Sequence, residues 1–241
     1  MNKNFRINGL LKIIILIIII TISLILFNYR QSIKEWFIDL TKIESYTLET
    51  IPEYSGRPYV YINDNNSNFN EIDKNTISFE LYSDLDYLGR CGVATANISL
   101  ELMPTKDRES IGNIKPSGWH TIKYDIVSGK YLYNRCHLIA YQLTGENANE
   151  KNLITCTKSM NSIGMIKFEN EIAEYIINTN NHVLYRVTPI YKENNLLASG
   201  VQMEAYSIED GGKGINFNVY VYNNQEGIII DYSNGESKLA N

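Results

Sequence analysis

Residues 10–27 read LLKIIILIIIITISLILF, and this run limits what the chain can fold into more than any other feature of it. Ile and Leu fall on every side of a helix built from it, so no polar stripe remains to face water from the surface of a globular domain. About 18–20 apolar residues is the length that crosses a bilayer. Lys3, Arg6 and Lys12 place three positive charges on the N-terminal flank, which orients that flank to the cytoplasm and the remainder of the chain outside. The exit, Phe27-Asn28-Tyr29-Arg30, lacks a small-x-small cleavage site, so the run reads as an uncleaved single-pass anchor in the cell membrane. A secreted form is the alternative.

The organisation expected from this start is a cytoplasmic tail over residues 1–9, an anchor over 10–27, a charged stalk over 28–50 and one folded domain over 51–241. Within the stalk, Trp36-Phe37 and Ile38-Asp39-Leu40 suggest a short amphipathic helix near the membrane face. The formal net charge is −5, from 27 acidic and 22 basic residues. That balance excludes a protein that holds nucleic acid by bulk positive charge, so any phosphate binding must be local.

In the domain, alternating and β-branched stretches predict strands at residues 59–62, 89–98, 119–124, 131–137, 183–191, 198–207 and 215–222. Asp210-Gly211-Gly212 is expected to turn a hairpin, and residues 227–232 to close the sheet. Between them the period changes. Met165, Phe168, Ile172, Tyr175 and Ile176 recur at three- and four-residue steps, which predicts a helix over 160–177 with one buried face. The fold class is α+β with a mostly antiparallel sheet.

Cys91, Cys136 and Cys156 are too few for a disulfide framework and have no metal-ligand spacing. As a default they are small buried hydrophobes; a location outside the cytoplasm permits one bridge, and spacing does not say which two would form it. Of the three histidines, His120 is expected inside a strand beside Trp119 and His182 in a turn after Asn180-Asn181, both structural. His137 differs. It ends the strand Tyr133-Asn134-Arg135-Cys136-His137, exposed there, with the Arg135 guanidinium on the same face by period-two alternation, so a base and a phosphate-matching cation project together. Downstream, the helix carries Asn161 near its start and Glu169 about two turns on. A carboxamide oxygen suits Mg²⁺, which keeps most of its waters and takes one or two protein ligands.

The run NRCHLIAYQLTGENANEKNLITCTKSMNSIGMIKFENEIAEYI resembles the active-site region of the DNA/RNA non-specific endonucleases, ββα-metal enzymes with an Asp-Arg-Gly-His signature followed by an Asn-bearing helix. The likeness is to the membrane-bound DNA-entry nucleases and secreted DNases of Gram-positive bacteria. It extends from about Ile51 to the C-terminus through GRCGVATAN, KPSGWHTIKYD, YRVTPIY and SGVQMEAYSIED.

The resemblance implies a ββα-metal nuclease core in which His137 is the general base, Asn161 the side chain on Mg²⁺ (Mn²⁺ being a substitute) and Arg135 a phosphate contact. Asn152 and Glu169 match positions that support the catalytic histidine or the metal-bound waters. Asn134 stands where the signature has Asp, and Cys136 where it has Gly, which bears on how His137 is oriented. Arg108 or Arg186 would add charge at the phosphate, and like Arg90 neither is given a primary role. The function so implied is Mg²⁺-dependent, sequence-non-specific hydrolysis of DNA phosphodiester bonds outside the membrane, leaving 5′-phosphates, with RNA as a further substrate class. The alternatives are a non-catalytic, membrane-tethered DNA-binding component of an uptake system and a secreted effector nuclease. Partners are thus nucleic acid and, through residues 10–27, the lipid bilayer.

Overall fold

A computed structural model of the chain describes Leu16, residues 19–27 and 29–30, and residues 44–240. The chain divides into a unit over Met1–Ile43 and a second over Glu44–Asn241. In the first, the described residues are helical and exposed. The 10–27 span expected to cross a membrane lies in good part outside the described residues, and among these no helix is long and apolar enough to do so.

The second unit is built on a seven-stranded sheet in the order β1-β2-β9-β8-β7-β4-β3. Its strands are β1 (Ser45–Tyr46), β2 (Tyr59–Ile62), β3 (Phe79–Tyr82), β4 (Ala94–Ile98), β7 (Val183–Ile190), β8 (Gly200–Ser207) and β9 (Asn216–Tyr222). Every neighbouring pair is antiparallel except β1 on β2. The α+β class with a mostly antiparallel sheet is therefore observed.

Period-two alternation decides what each face carries. Val183, Tyr185 and Val187 of β7, Val201, Met203 and Ala205 of β8, and Phe217, Val219 and Val221 of β9 enter one core. Against them pack Phe168, Ile172 and Ile176 of helix α2 (Ile166–Thr179), at the predicted three- and four-residue steps. The helix ends at Asn180, which takes the left-handed conformation (φ 58°) and closes the last turn on the Ile176 carbonyl. A one-turn helix, α1 (Tyr141–Thr144), precedes it in the chain.

A second antiparallel pair, β5 (Tyr133–His137) with β6 (Leu153–Thr157), lies outside the large sheet and leads into α2 through a wide helical turn at Met160–Met165. Gly164 in that turn sits against Val221, where a Cβ would collide, so the turn approaches the sheet closely. Strand, strand and helix thus form a ββα unit on the sheet. Cys136 of β5 and Cys156 of β6 are joined by a disulfide, and Cys91 is free and buried. Two of the three cysteines are therefore cross-linked rather than simply buried.

Several expected strands are corrected. Residues 119–124 make only an isolated bridge, Lys123 to Tyr131, because Trp119 and Ile122, three apart, both pack into a cluster around Leu132, Tyr133 and Leu197 instead of alternating. The stretch 89–98 shortens to Ala94–Ile98: the Asp86 carboxylate accepts from the backbone N–H groups of Leu88 and Arg90 and holds a turn there. Residues 227–232 do not close the sheet. Ile228–Ile230 (β10) pairs with Ser237–Leu239 (β11) in a separate ribbon over the Leu132 cluster.

Candidate active site

Two adjoining cavities open beside the ββα unit. The smaller, about 260 Å³, is walled by Arg108, Arg135, His137, Asn161 and Glu169 among others. The larger, about 410 Å³, shares Arg108, Arg135 and Asn161 with it. Three elements deliver these side chains. Strand β5 presents Arg135 and His137 from one face, the wide turn after β6 presents Asn161, and α2 presents Glu169 two turns further on. A turn wound wider than an α-helix is a frequent companion of functional side chains. Here it aims Asn161 at the cavity while Met160 and Met165 stay in the core.

His137 is only 7 % exposed, so it is a cavity-wall residue and not the open strand-end histidine expected. Its hydrogen bonds fix its tautomer. Nε2 lies 2.8 Å from the Asn147 carbonyl oxygen, which can only accept, so Nε2 carries the proton. Nδ1 lies 3.3 Å from an Arg108 Nη, which can only donate, so Nδ1 presents its lone pair. Burial pushes the imidazole down to about 4; the Asn147 hydrogen bond opposes this and the Arg108 charge adds to it. The ring is neutral near pH 7, and its lone pair, on the cavity side, is taken up by Arg108.

Glu169 is also 7 % exposed and, among the described residues, its carboxyl has no hydrogen-bond partner. Burial raises its carboxyl to about 8, against the pull of Arg108. Buried polar groups are ordinarily partnered, so a carboxyl aimed into a cavity without one points to a ligand there. The Asn161 carboxamide, half-buried on the same cavity, likewise has no partner among the described residues. Among the described residues no group of three or more His, Cys, Asp or Glu side chains converges. An amide oxygen with a nearby carboxyl fits a hard divalent cation that keeps most of its waters, and does not fit tetrahedral zinc.

Arg135 stacks on Trp119, its guanidinium carbon 3.9 Å from the ring centroid. It also donates from Nε to the Ile114 carbonyl and, at 2.7 Å, from Nη to the Gly112 carbonyl. It therefore pins the loop that carries Arg108 and faces the cavity at the same time. Asn152 does not line the cavity. Fully buried, it accepts from the Ile139 N–H at 2.8 Å and donates to the Ile139 carbonyl at 3.0 Å, locking the backbone two residues past His137. It braces the chain just past His137 and does not border the cavity. Cys136, where the family signature has Gly, faces away from the cavity into the core and the disulfide.

The remaining candidates lie elsewhere. His120 contacts the Asn234 carbonyl and His182 pairs with Glu209. Arg186 is held by Glu204 and the Asn68 carbonyl, and Arg90 by Asp86 and the carbonyls of Glu193 and Asn195. Arg108 is the residue sequence reasoning undervalued. It sits on an irregular loop without periodicity, and in the sequence only its residue type, a cation able to meet a phosphate, pointed toward it.

Residues 70–209 match the family described as DNA/RNA non-specific endonuclease. Among solved structures, the chain is similar to NucA from Streptococcus agalactiae with magnesium bound, at 26 % identity and a TM-score of 0.68, covering 79 % of this chain and 91 % of that one. The metal-free form of the same NucA gives the same identity and TM-score over 86 % of this chain and 96 % of that one. The Sda1 nuclease with bound zinc is 29 % identical, with a TM-score of 0.58 over 68 % of this chain and 82 % of that one.

Proposed function

This chain belongs to the DNA/RNA non-specific endonuclease family, and from that premise we propose that its two cavities bind and cut the phosphodiester backbone of DNA, and of RNA, with Mg²⁺ and without regard to sequence. It is a nuclease enzyme. The observation that carries the finer reading is the convergence of the His137 lone pair, Arg108, Asn161 and Glu169 on one cavity.

In this reading His137 Nδ1 takes a proton from a water positioned in the cavity, and the hydroxide formed attacks the phosphorus. The Asn147 carbonyl holds the Nε2–H and so stabilises the imidazolium left behind. Arg108 and Arg135 face the negative charge that grows on the phosphoryl oxygens as the 3′-oxygen departs. Asn161 and Glu169 would hold Mg²⁺ in this cavity, and the ion when bound would supply Lewis-acid neutralisation of the phosphate and the leaving oxygen. The Mg²⁺ bound by NucA supports that choice of ion, as does the sparse donor set here. Groups of this kind address phosphates, which carry no sequence information.

We place the enzyme domain outside the cell membrane, anchored through residues 10–27. The Cys136–Cys156 disulfide supports a location outside the reducing cytoplasm, and the charge flank of the apolar run supports the orientation. Protease added to intact cells should then degrade the domain and spare the N-terminal tail.

The activity is tested with the purified full chain in detergent, supercoiled plasmid, and Mg²⁺ or EDTA, beside His137→Ala and Asn161→Ala. Cleavage in Mg²⁺ alone, lost in both variants, is expected. Intact plasmid with the folded wild-type protein would overturn the reading.

A further inference from the structure

We propose that the larger of the two cavities is a subsite for an unpaired nucleotide flanking the scissile phosphate, and that it gives the enzyme a preference for single strands. The proposal rests on the nuclease reading and extends it to strand selection.

Continuity comes first. Because Arg108, Arg135 and Asn161 wall both cavities, a polynucleotide with its scissile phosphate beside His137 delivers a neighbouring nucleotide to the second. At about 410 Å³ that cavity lies in the range of small-molecule sites and has room for a base and its sugar.

The lining differs in kind from that of the catalytic cavity. Trp119, Tyr131 and Tyr133 border it, with Thr121 and Asn134 between them. The Arg135 guanidinium carbon stands 3.9 Å from the centroid of Trp119, and the Lys123 ammonium 4.5 Å from that of Tyr131, a residue left 46 % exposed. Aromatic rings and guanidinium planes are the surfaces on which unstacked bases settle, whatever their identity. The cations held against these rings meet the phosphates on either side.

One polar atom supports a ligand independently. Asn134 borders the cavity, and among the described residues its Nδ2 has no hydrogen-bond acceptor. An amide donor on this wall suits a base carbonyl or a phosphate oxygen, whereas an Asp there would repel both. A base paired and stacked in a duplex cannot enter such a cavity without leaving its stack, at a cost of a few kcal/mol. Single strands avoid that cost.

The test uses the full chain in detergent at low salt with EDTA, which blocks cleavage, and a Trp36→Phe background in which Trp119 is the sole indole, the chain having 2 Trp. A four-residue oligothymidylate should quench Trp119 saturably, and the same oligomer made abasic should bind about tenfold more weakly. Tyr131→Ala should weaken the base-bearing oligomer about fivefold and leave the abasic one unchanged. In Mg²⁺, the wild-type protein should cut single strands with a lower KM than a duplex of the same sequence, and Tyr131→Ala should raise that KM more than it lowers kcat. Equal affinity for base-bearing and abasic oligomers would overturn the proposal, because only phosphates would then be read. That comparison needs no subsite variant, so a variant that fails to fold leaves it decisive. Binding in EDTA without plasmid cleavage in Mg²⁺ would instead overturn the nuclease reading and keep the subsite.

Discussion

Arg108 and His137, 29 residues apart in sequence, meet with a guanidinium nitrogen 3.3 Å from imidazole Nδ1. The contact covers the lone pair that would take the proton from water. It also puts a permanent positive charge where a phosphate must lie for that water to attack it. In the proposed reading, a phosphate entering the cavity would offer Arg108 a stronger, charged acceptor than a neutral imidazole, so that substrate binding would also release the base.

Arg108→Ala should therefore cost about 10²–10³ in kcat, the scale of losing one charge-stabilising donor at a developing anion. Arg108 is exposed and, among the described residues, its one side-chain hydrogen bond is to His137, so the melting temperature should barely move. Steady-state kinetics beside thermal unfolding check both. Activity within threefold of wild type would remove Arg108 from the site.

The same pair sets a pH response. With the imidazole held down to about 4, His137 is already the neutral base at pH 6. Below that value it takes a proton and the base is lost. The acid limb of kcat/KM should thus fall below pH 5 rather than near 6.5, and proton NMR of the metal-free protein should show His137 titrating well below the ordinary imidazole range. Arg108→Ala should move His137 upward, because a repelling charge has gone. A His137 value near 6.5 in both proteins would contradict the buried, Nδ1-accepting ring.

How far the sequence reveals this site depends on where each residue sits. His137, Arg135 and Asn161 lie on a strand and a helical turn whose patterns, with the family likeness, are readable in the chain, and the structure brings all three to one cavity. Arg108 is on a loop, and loops place side chains by tertiary contacts, here the Arg135 bonds to the Gly112 and Ile114 carbonyls. Strand β6 escaped notice because all five of its residues are buried, which erases alternation. The partners in the disulfide become neighbours only once β5 and β6 pair, with Asn134 opposite Cys156 and Cys136 opposite Ile154. The Trp119 segment carries strand-forming residues but spends them on a side cluster.

That disulfide should matter to both stability and turnover. It closes a loop across a sequence separation of 20 residues, for which chain-entropy arguments give about 3 kcal/mol. It also ties together the two strands that carry His137 and lead to Asn161. Denatured, unreduced protein should titrate one thiol, Cys91, and three after reduction. Cys136→Ala with Cys156→Ala should lower the melting temperature by several degrees and reduce activity at temperatures where the wild type is fully folded. Three thiols in the unreduced protein would show that the bridge does not form.

Glu169 makes the opposite bargain, weakening the metal-free fold in order to serve the cavity. Its folded value of about 8 stands above the ordinary 4.5 of a glutamate. Below pH 4.5 the carboxyl is protonated in folded and unfolded chains alike, and its contribution to stability is intact. As pH rises toward 8 the unfolded chain ionises while the folded one holds its proton. Stability then falls by about 1.4 kcal/mol for each pH unit of that window. Glu169→Gln removes the titration, so in EDTA the variant should gain on the wild type steadily from pH 5 to pH 8 while losing nuclease activity. A divalent cation in the cavity favours the ionised carboxylate, so Mg²⁺ should raise the wild-type melting temperature more at pH 8 than at pH 5 and the variant's about equally at both. Thermal unfolding of the two proteins at pH 5, 6.5 and 8, with Mg²⁺ and with EDTA, decides it. Parallel pH curves in EDTA would mean that Glu169 ionises like a solvated glutamate and is not held neutral by burial.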